Sequence, residues 1–255
     1  MSNAKLNRRA EIVRLVKERK HITSTELSRE FGVTEETIRK DFQELSERGE
    51  LMRTFGGAAI REYGNEKSLD QRIIQNLEEK QKIARAASEL VHAGNLLVMD
   101  AGSTVTFLAK LLPPGMNVTV LTNSLEITSI LTEREEVSVI CTGGRFHKKS
   151  MSFQGILTEN AIGTYNAEKA FISCSAFDVN LGVMDSNEEA TRTKQKMIQM
   201  AREVYLLADS SKIGCIAHIT TCSIGSLTGI VTDDGIPAKA LQALENAGVR
   251  VIIAK

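Results

Sequence analysis

Tryptophan is absent from this chain, and phenylalanine and tyrosine together make up 4% of its 255 residues. All-β sandwiches lean on aromatic and β-branched pairs facing one another across strands. The 42% apolar content therefore points to a helical or α/β architecture with an aliphatic core. Cysteine is scarce too. Cys141, Cys174, Cys215 and Cys222 form no C-x-x-C pair, which removes the usual spacing of zinc and dithiol redox sites. Cys141 and Cys174 stand inside apolar runs and read as small, reduced core residues. No His/Cys cluster suggests a metal, and neither the dinucleotide nor the P-loop glycine pattern occurs, so no cofactor is expected. No apolar run approaches the roughly 18 residues of a membrane span. The chain opens on charged residues rather than a signal-peptide pattern, and a cytoplasmic protein without a membrane partner is the expectation.

Net charge is missing as well, since 32 Lys/Arg balance 32 Asp/Glu. A zero total argues against indiscriminate binding to nucleic acid, but the distribution is uneven. Residues 1–61 hold 13 Lys/Arg against 10 Asp/Glu, and the remainder holds 19 against 22. A mildly basic head on a mildly acidic body is compatible with phosphate contact without establishing it.

The first sixty residues read as three helices and a hairpin. Ile12, Val13 and Val16 form one apolar stripe, and Leu27 with Phe31 a second at i, i+4. Thr23 followed by Glu26 is a capping box that starts the second helix. Gly32-Val33-Thr34 is a tight turn, with Thr34 available as the next N-cap. Ile38, Phe42 and Leu45 give the third helix its buried face, and Gly49 ends it. Glu50 to Ile60 then reads as two short strands around Gly56-Gly57, a wing. Residues 61–68 are polar and aperiodic, and from about Leu69 a long helix is expected to run to Val91. The expected organisation is thus a DNA-binding domain over 1–60, a linker and the start of a connecting helix over 61–80, and a second domain over 81–255. That second domain alternates apolar runs with helical segments: Leu96–Met99, Val118–Leu121, Val137–Cys141, Ala170–Cys174, Val204–Ala208, Gly229–Thr232 and Val249–Ala254. Such runs predict a mainly parallel, Rossmann-like α/β sheet covered on both faces.

With Ile38, Phe42 and Leu45 inward, Glu36, Lys40 and Gln43 face outward, flanked by Thr37 and Arg39. A helix-turn-helix presents the N-terminal half of its second helix to base edges. Arg39 and Lys40 can donate to guanine or phosphate, Glu36 can accept from cytosine, and Thr37 can do either. Thr34 begins this face, and Arg53 on the wing can touch backbone or minor groove. A charged outer face is commonly just solvated, and Glu35 and Glu36 repel phosphate, so this is no generic basic patch. A winged helix can also serve protein contacts alone. The complete order of helix, capped helix, glycine turn, helix and glycine-glycine wing favours DNA.

Phe31-Gly-Val-Thr-Glu-Glu-Thr-Ile-Arg-Lys-Asp-Phe-Gln-Glu-Leu45, with Gly49-Glu-Leu-Met-Arg53 and Phe55-Gly-Gly-Ala58, resembles the signature of the DeoR family of bacterial sugar-metabolism repressors. Lys40 stands where that pattern has Arg, which keeps charge and loses the bidentate fork. Phe55 stands where it has His, which takes away a polar side chain on the wing.

In the second domain, polar tips follow several strands. Asp100-Ala-Gly-Ser-Thr104 opens a helix expected over Val105–Leu112, where backbone N–H groups beyond Gly102 and the Ser103 and Thr104 hydroxyls suit a phosphate. Thr122-Asn123-Ser124 follows the second run, Thr142-Gly143-Gly144-Arg145 the third, and Asp209-Ser-Ser-Lys212 a later one. Each tip alone can simply cap a helix or make a turn. Together, beyond the carboxyl ends of strands, they suit an anionic ligand, with Asp100 orienting hydroxyls. His147, Lys148 and Lys149 read as a mobile solvated loop, with a lid as the alternative. The resemblance continues through Asp100–Thr104, Thr122–Ser124, Gly143–Gly144, Lys169–Ala176, Glu188–Ala190 and Leu207–Lys212. It implies a sensor similar in fold to ribose-5-phosphate isomerase, taking a phosphorylated sugar or polyol. The competing expectation is an isomerase-like enzyme fused to a winged helix, with Asp178, Asp185, Glu188 and Lys194 as its acids and bases. Those four read better as caps, ion-pair partners or ligand contacts, and no catalytic residue is assigned. The resulting expectation is a repressor that binds operator DNA as a dimer or tetramer under metabolite control.

Overall fold

The chain begins with α1 (Asn3–Arg19), β1 (His21–Thr23), α2 (Ser24–Phe31), α3 (Glu35–Glu47), β2 (Met52–Thr54) and β3 (Gly57–Ala59). The computed structural model describes residues 3–60 and 67–255, so most of the expected linker lies outside the described residues. Ile12, Leu15, Val16, Ile22, Leu27, Ile38, Phe42, Leu45 and Leu51 form one closed core. The boundary signals act as the sequence suggests. Thr23 and Glu26 complete a reciprocal capping box, Gly32 is left-handed at φ 63°, and the Thr34 hydroxyl accepts from the Thr37 amide. Two points differ. A third strand, β1, pairs with β3 to give the order β1-β3-β2. The hairpin turn is Phe55-Gly56 rather than Gly56-Gly57, since Thr54 pairs with Gly57. Gly56 supplies the positive φ of 75°, while Gly57 lies in the strand so close to the Ile22 carbonyl that a Cβ would overlap it. Under these strands, Asp41 ties α3 to α1 through Arg8 (2.6 Å) and Arg9 (2.7 Å).

The expected single connecting helix is two: α4 (Leu69–Ile74) and α5 (Leu77–Ser88). Asn76 breaks it, with a left-handed backbone at φ 51°. Asparagine visits this region more readily than most residues. Here its side-chain amide donates to Asp209 Oδ1 and Ser211 Oγ, both at 2.9 Å. The Lys80 ammonium caps the other side of the break by donating to the Arg72 and Gln75 carbonyls.

The second domain continues with β4 (Leu96–Met99), α6 (Ser103–Lys110), β5 (Thr119–Thr122), α7 (Leu125–Leu131), β6 (Ser138–Cys141), β7 (Arg145–His147), β8 (Ser152–Gln154), α8 (Ile156–Ile162) and β9 (Ala167–Ile172). There follow β10 (Ala176–Asp178), β11 (Gly182–Asp185), α9 (Glu188–Gln199), β12 (Ala201–Leu207), β13 (Ile219–Cys222), β14 (Gly229–Asp233), α10 (Ala238–Asn246) and β15 (Arg250–Ala254). The seven apolar runs become the seven strands of one sheet, ordered β15-β14-β12-β9-β4-β5-β6 and parallel throughout. Two apolar layers cover its faces. Ile83, Ala84 and Ala87 of α5 pack with Leu97, Met99 and Leu108 on one side, and Ile172, Met197 and Leu244 lie on the other. From β4 the order runs one way to β5 and β6, and from β9 the other way to β12, β14 and β15. The crevice beyond β4 and β9 is thus the topological switch point.

Three further expectations change. Cys141 is exposed, unlike buried Cys174, because β6 is an edge strand and leaves its end uncovered. The His147–Lys149 segment belongs to the β7–β8 hairpin turn, held by His147 Nδ1 against Ser150 Oγ at 2.8 Å and by the Lys149 carbonyl accepting from the Leu69 amide at 2.8 Å. It is no free solvated loop. The first sensor helix starts at Ser103, with Gly102 as N-cap. No helix among the described residues is long and apolar enough to cross a membrane.

Candidate functional site

On α3 the buried stripe turns Glu36 and Lys40 outward, leaving 67% and 73% of their side-chain surfaces exposed, within reach of an incoming ligand. Lys40 lies 3.6 Å from Glu36, and Arg39 lies 3.1 Å from Glu35. The Thr34 and Thr37 hydroxyls are 2.9 Å apart at the helix start. Arg53 reaches from β2 to the Gln43 side chain. The structure thus brings Thr34, Glu36, Thr37, Arg39 and Lys40 onto the first turns of one helix, with Arg53 beside it. Exposed pairs of this kind are worth about 0.3–0.5 kcal/mol each, so partners on a duplex can displace them. Lys5 and Arg8 of α1 line a groove of about 480 Å³ with Thr37 and Lys40. Sequence reasoning missed them, although the basic start of α1 was the available signal.

The same unit docks on the second domain through its wing. The Phe55 amide donates to Asp178 Oδ2 at 2.7 Å. Met52 and Ala59 pack with Ala176, Met184, Ile216 and Ala217, and Lys239 of α10 lies 3.1 Å from Glu35.

Between the two domains, at the switch point, lies a cavity of about 620 Å³. Asp100, after β4, accepts from the amide (3.0 Å) and hydroxyl (2.6 Å) of Ser173, after β9. Lys194 of α9 donates to Asp185 at 2.8 Å and lies 3.5 Å from Asp100. Burial alone would lower the Lys194 pKa, but the two carboxylates overcome it and raise it. Lys212 donates to the Cys174 carbonyl at 2.7 Å. The wall carries seven Lys/Arg side chains against four carboxylates, Glu26, Asp100, Asp185 and Asp209. Burial, with Lys212 nearby, pushes the Lys80 pKa down to about 8.

Of the residues singled out for ligand binding, Asp100, Ser103, Asn123 and Lys212 line this cavity, and Gly102, Thr104, Thr122, Ser124, Gly143 and Gly144 do not. Thr122 Oγ1 donates to the Met99 carbonyl at 2.7 Å, and Ser124 caps α7. Thr104 is fully buried. Gly102 is needed because a Cβ would overlap Ser173, and Gly144 because one would overlap Thr158, whose hydroxyl donates to the Gly143 carbonyl at 2.7 Å. Sequence reasoning missed Arg72, Asn76, Lys80, Ser150 and Gln154, which also line the cavity. They lie on the connector and on β7–β8, where no strand-tip signal marks them. The four candidate acid-base residues do not converge. Asp178 is fully buried and accepts from backbone amides at Phe55, Asn180 and Leu181. Glu188 pairs with Arg192 on the surface, and only Asp185 and Lys194 reach the cavity.

The DeoR-like helix-turn-helix domain matches residues 8–63, and the DeoR C terminal sensor domain matches residues 75–234. The chain belongs to the DeoR family. It is accordingly a DNA-binding transcriptional regulator with a sensor domain. It is 39% identical over 245 residues to the "uncharacterized HTH-type transcriptional regulator YulB" of Bacillus subtilis (strain 168), covering 96% of this chain and 95% of that one. It is 30% identical over 249 residues to the putative aga operon transcriptional repressor of Escherichia coli O157:H7, covering 96% and 93%. Identity to the glycerol-3-phosphate regulon repressor of Escherichia coli (strain K12) is 28% over 240 residues, covering 94% and 95%. Among solved structures, ribose 5-phosphate isomerase A of Methanocaldococcus jannaschii matches with a TM-score of 0.40 at 17% identity, covering 55% of each chain.

Proposed function

We propose that this DeoR-family regulator represses a carbohydrate-utilisation operon, and that a phosphorylated sugar or polyol in the switch-point cavity controls its grip on operator DNA. Thr34, Glu36, Thr37, Arg39, Lys40 and Arg53 meet the duplex. Asp100, Ser103, Asn123 and Lys212 meet the ligand, with Gly102, Thr104, Thr122, Ser124, Gly143 and Gly144 shaping the wall behind them. The protein acts in the cytoplasm as a dimer or tetramer, placing two or more winged helices on repeated half-sites. Residues 1–60 serve as the DNA-binding unit, 61–80 as linker and connector, and 81–255 as sensor.

One observation carries this reading. The cation-rich cavity is walled partly by the sensor and partly by Arg19, His21 and Thr23 of the DNA-binding unit. A ligand there touches both domains, so its affinity depends on how they dock. That unequal affinity is what allows a ligand to shift a conformational equilibrium. The test is a gel shift on DNA upstream of the protein's own operon, with and without a panel of sugar and polyol phosphates. Specific, salt-sensitive retardation is expected, changed at least fivefold in affinity by one member of the panel. Indifference to the whole panel would remove the metabolite from the account.

A further inference from the structure

We infer that Arg72, on the connector helix α4, is the residue that takes the phosphate of the effector proposed for this cavity. The inference rests on the reading of the cavity as the effector site and adds which residue reads the effector's charge. Arg72 lines the cavity, and its Nε and Nη2 atoms are buried without a hydrogen-bond partner among the described residues. Those two atoms form one edge of the guanidinium, the edge that meets two oxygens of a phosphate or carboxylate side by side. The protein's own carboxylates in this wall are already engaged. Asp100 and Asp185 hold Lys194, Asp209 accepts from Asn76 and Ser211, and Glu26 closes its capping box with Thr23. Lys80 and Lys212 stand in the same wall. Three cations against the committed Asp209 suit a dianion better than the single charge of a carboxylate.

The opposite requirement comes from the other lining groups. Asn123 and Gln154 are each 2% exposed, and each keeps a carboxamide oxygen without a donor. Buried acceptors of this kind are nearly always satisfied. Here the hydroxyls of a sugar or polyol can donate to them. Arg72 thus faces the phosphate of the proposed effector, and Asn123 and Gln154 face its hydroxyls. Because Arg72 lies on α4, grasping the phosphate fastens the segment joining the two domains.

The experiment uses the full chain and follows its thermal unfolding in the presence of inorganic phosphate. Pairs of phosphorylated and unphosphorylated sugars, ribose 5-phosphate with ribose and glycerol 3-phosphate with glycerol, serve as further probes. Phosphate is expected to raise Tm in a saturable way, and Arg72→Gln to weaken its apparent affinity at least tenfold. Arg72→Lys, which keeps charge without the fork, should fall between the two. Ligand-free Arg72→Gln should melt at or above the wild-type temperature, since it removes two buried N–H donor groups that have no partner among the described residues. Retention of phosphate affinity within twofold by Arg72→Gln would overturn the inference. If Ser103→Ala abolishes the response while Arg72→Gln keeps it, Arg72 falls and the sensor reading stands. If neither phosphate nor either phosphorylated sugar stabilises the wild type, both fall.

Discussion

The outer face of α3 and the wall of the switch-point cavity are both crowded with charge, yet they handle it in opposite ways. On α3, Arg39 and Lys40 pair with Glu35 and Glu36 one turn away, the Lys40 pair in the open and Glu35 half-buried beside Thr25 and Lys239. Such pairs cost little to break and leave each partner solvated. In the cavity, Lys194 is buried between Asp100 and Asp185, where a broken pair leaves a charge with nowhere to go. On the proposed function, a surface that must exchange its partners for a duplex keeps them weak, and a site that must stay shaped for a small ligand keeps them buried.

Removing one charge from each region should separate them most sharply. Lys194→Ala leaves two buried carboxylates without their cation, and a loss of roughly 3–5 kcal/mol in stability is expected, read by chemical denaturation. A loss below about 1 kcal/mol would mean that the cavity tolerates open charge as the surface does. Arg39→Ala should instead change stability by no more than about 0.5 kcal/mol. It should weaken specific operator binding by about 1–3 kcal/mol, measured by fluorescence anisotropy. Normal binding would remove Arg39 from the interface.

The contact between the regions offers a third test. Gly214 is left-handed at φ 75°, and a Cβ there would strike the His21 ring of the DNA-binding unit. Gly214→Val is expected to loosen the docking of the two domains and enlarge the radius of gyration in solution scattering. It should also erase the effector's influence on operator affinity, a coupling typically worth about 1–3 kcal/mol, while phosphate still binds.

A fourth test concerns pH. Lys80 titrates near 8 in the folded protein against 10.5 ordinarily, through burial and the neighbouring Lys212 and Arg72, opposed by Asp209 and Glu79. Between those values the unfolded chain binds the extra proton. Ligand-free stability should therefore rise with pH across that window, and Lys80→Met should flatten the slope. Phosphate affinity should move the other way, falling as pH passes about 8 and Lys80 loses its charge. An unchanged affinity up to pH 9.5 would place Lys80 outside the anion's reach.

The parallel sheet was legible because its strands are buried on both faces, so each run from Leu96–Met99 to Val249–Ala254 is continuously apolar. The helix-turn-helix was legible because Thr23, Glu26, Gly32 and Thr34 are local signals that act within a few residues. The short strands β7, β8, β10, β11 and β13 were not, since three or four residues become strand only once a partner arrives. The cavity was half legible. Asp100, Ser103, Asn123 and Lys212 follow strands and carry polar groups, which marks them. Thr122 and Ser124 carry the same mark but spend their hydroxyls on the backbone. Arg72 and Lys80 sit among charged neighbours on a connector where a buried cation and a solvated one read alike. Asn76 gave no sign that it would divide a helix, because its left-handed backbone depends on Asp209 and Ser211, 133 and 135 residues away.

That division has a mechanical consequence. A continuous rod between two bodies passes on a displacement along its length. Two short rods joined by two residues instead fix their relative direction through the backbone torsions of that joint. In this molecule the joint is extended Gln75 followed by left-handed Asn76, and the groups that steady the Asn76 side chain sit on the β12 tip that also lines the cavity. Whatever occupies that tip therefore acts on the pivot directly, and a small shift at Asp209 becomes an angle between helices rather than a push.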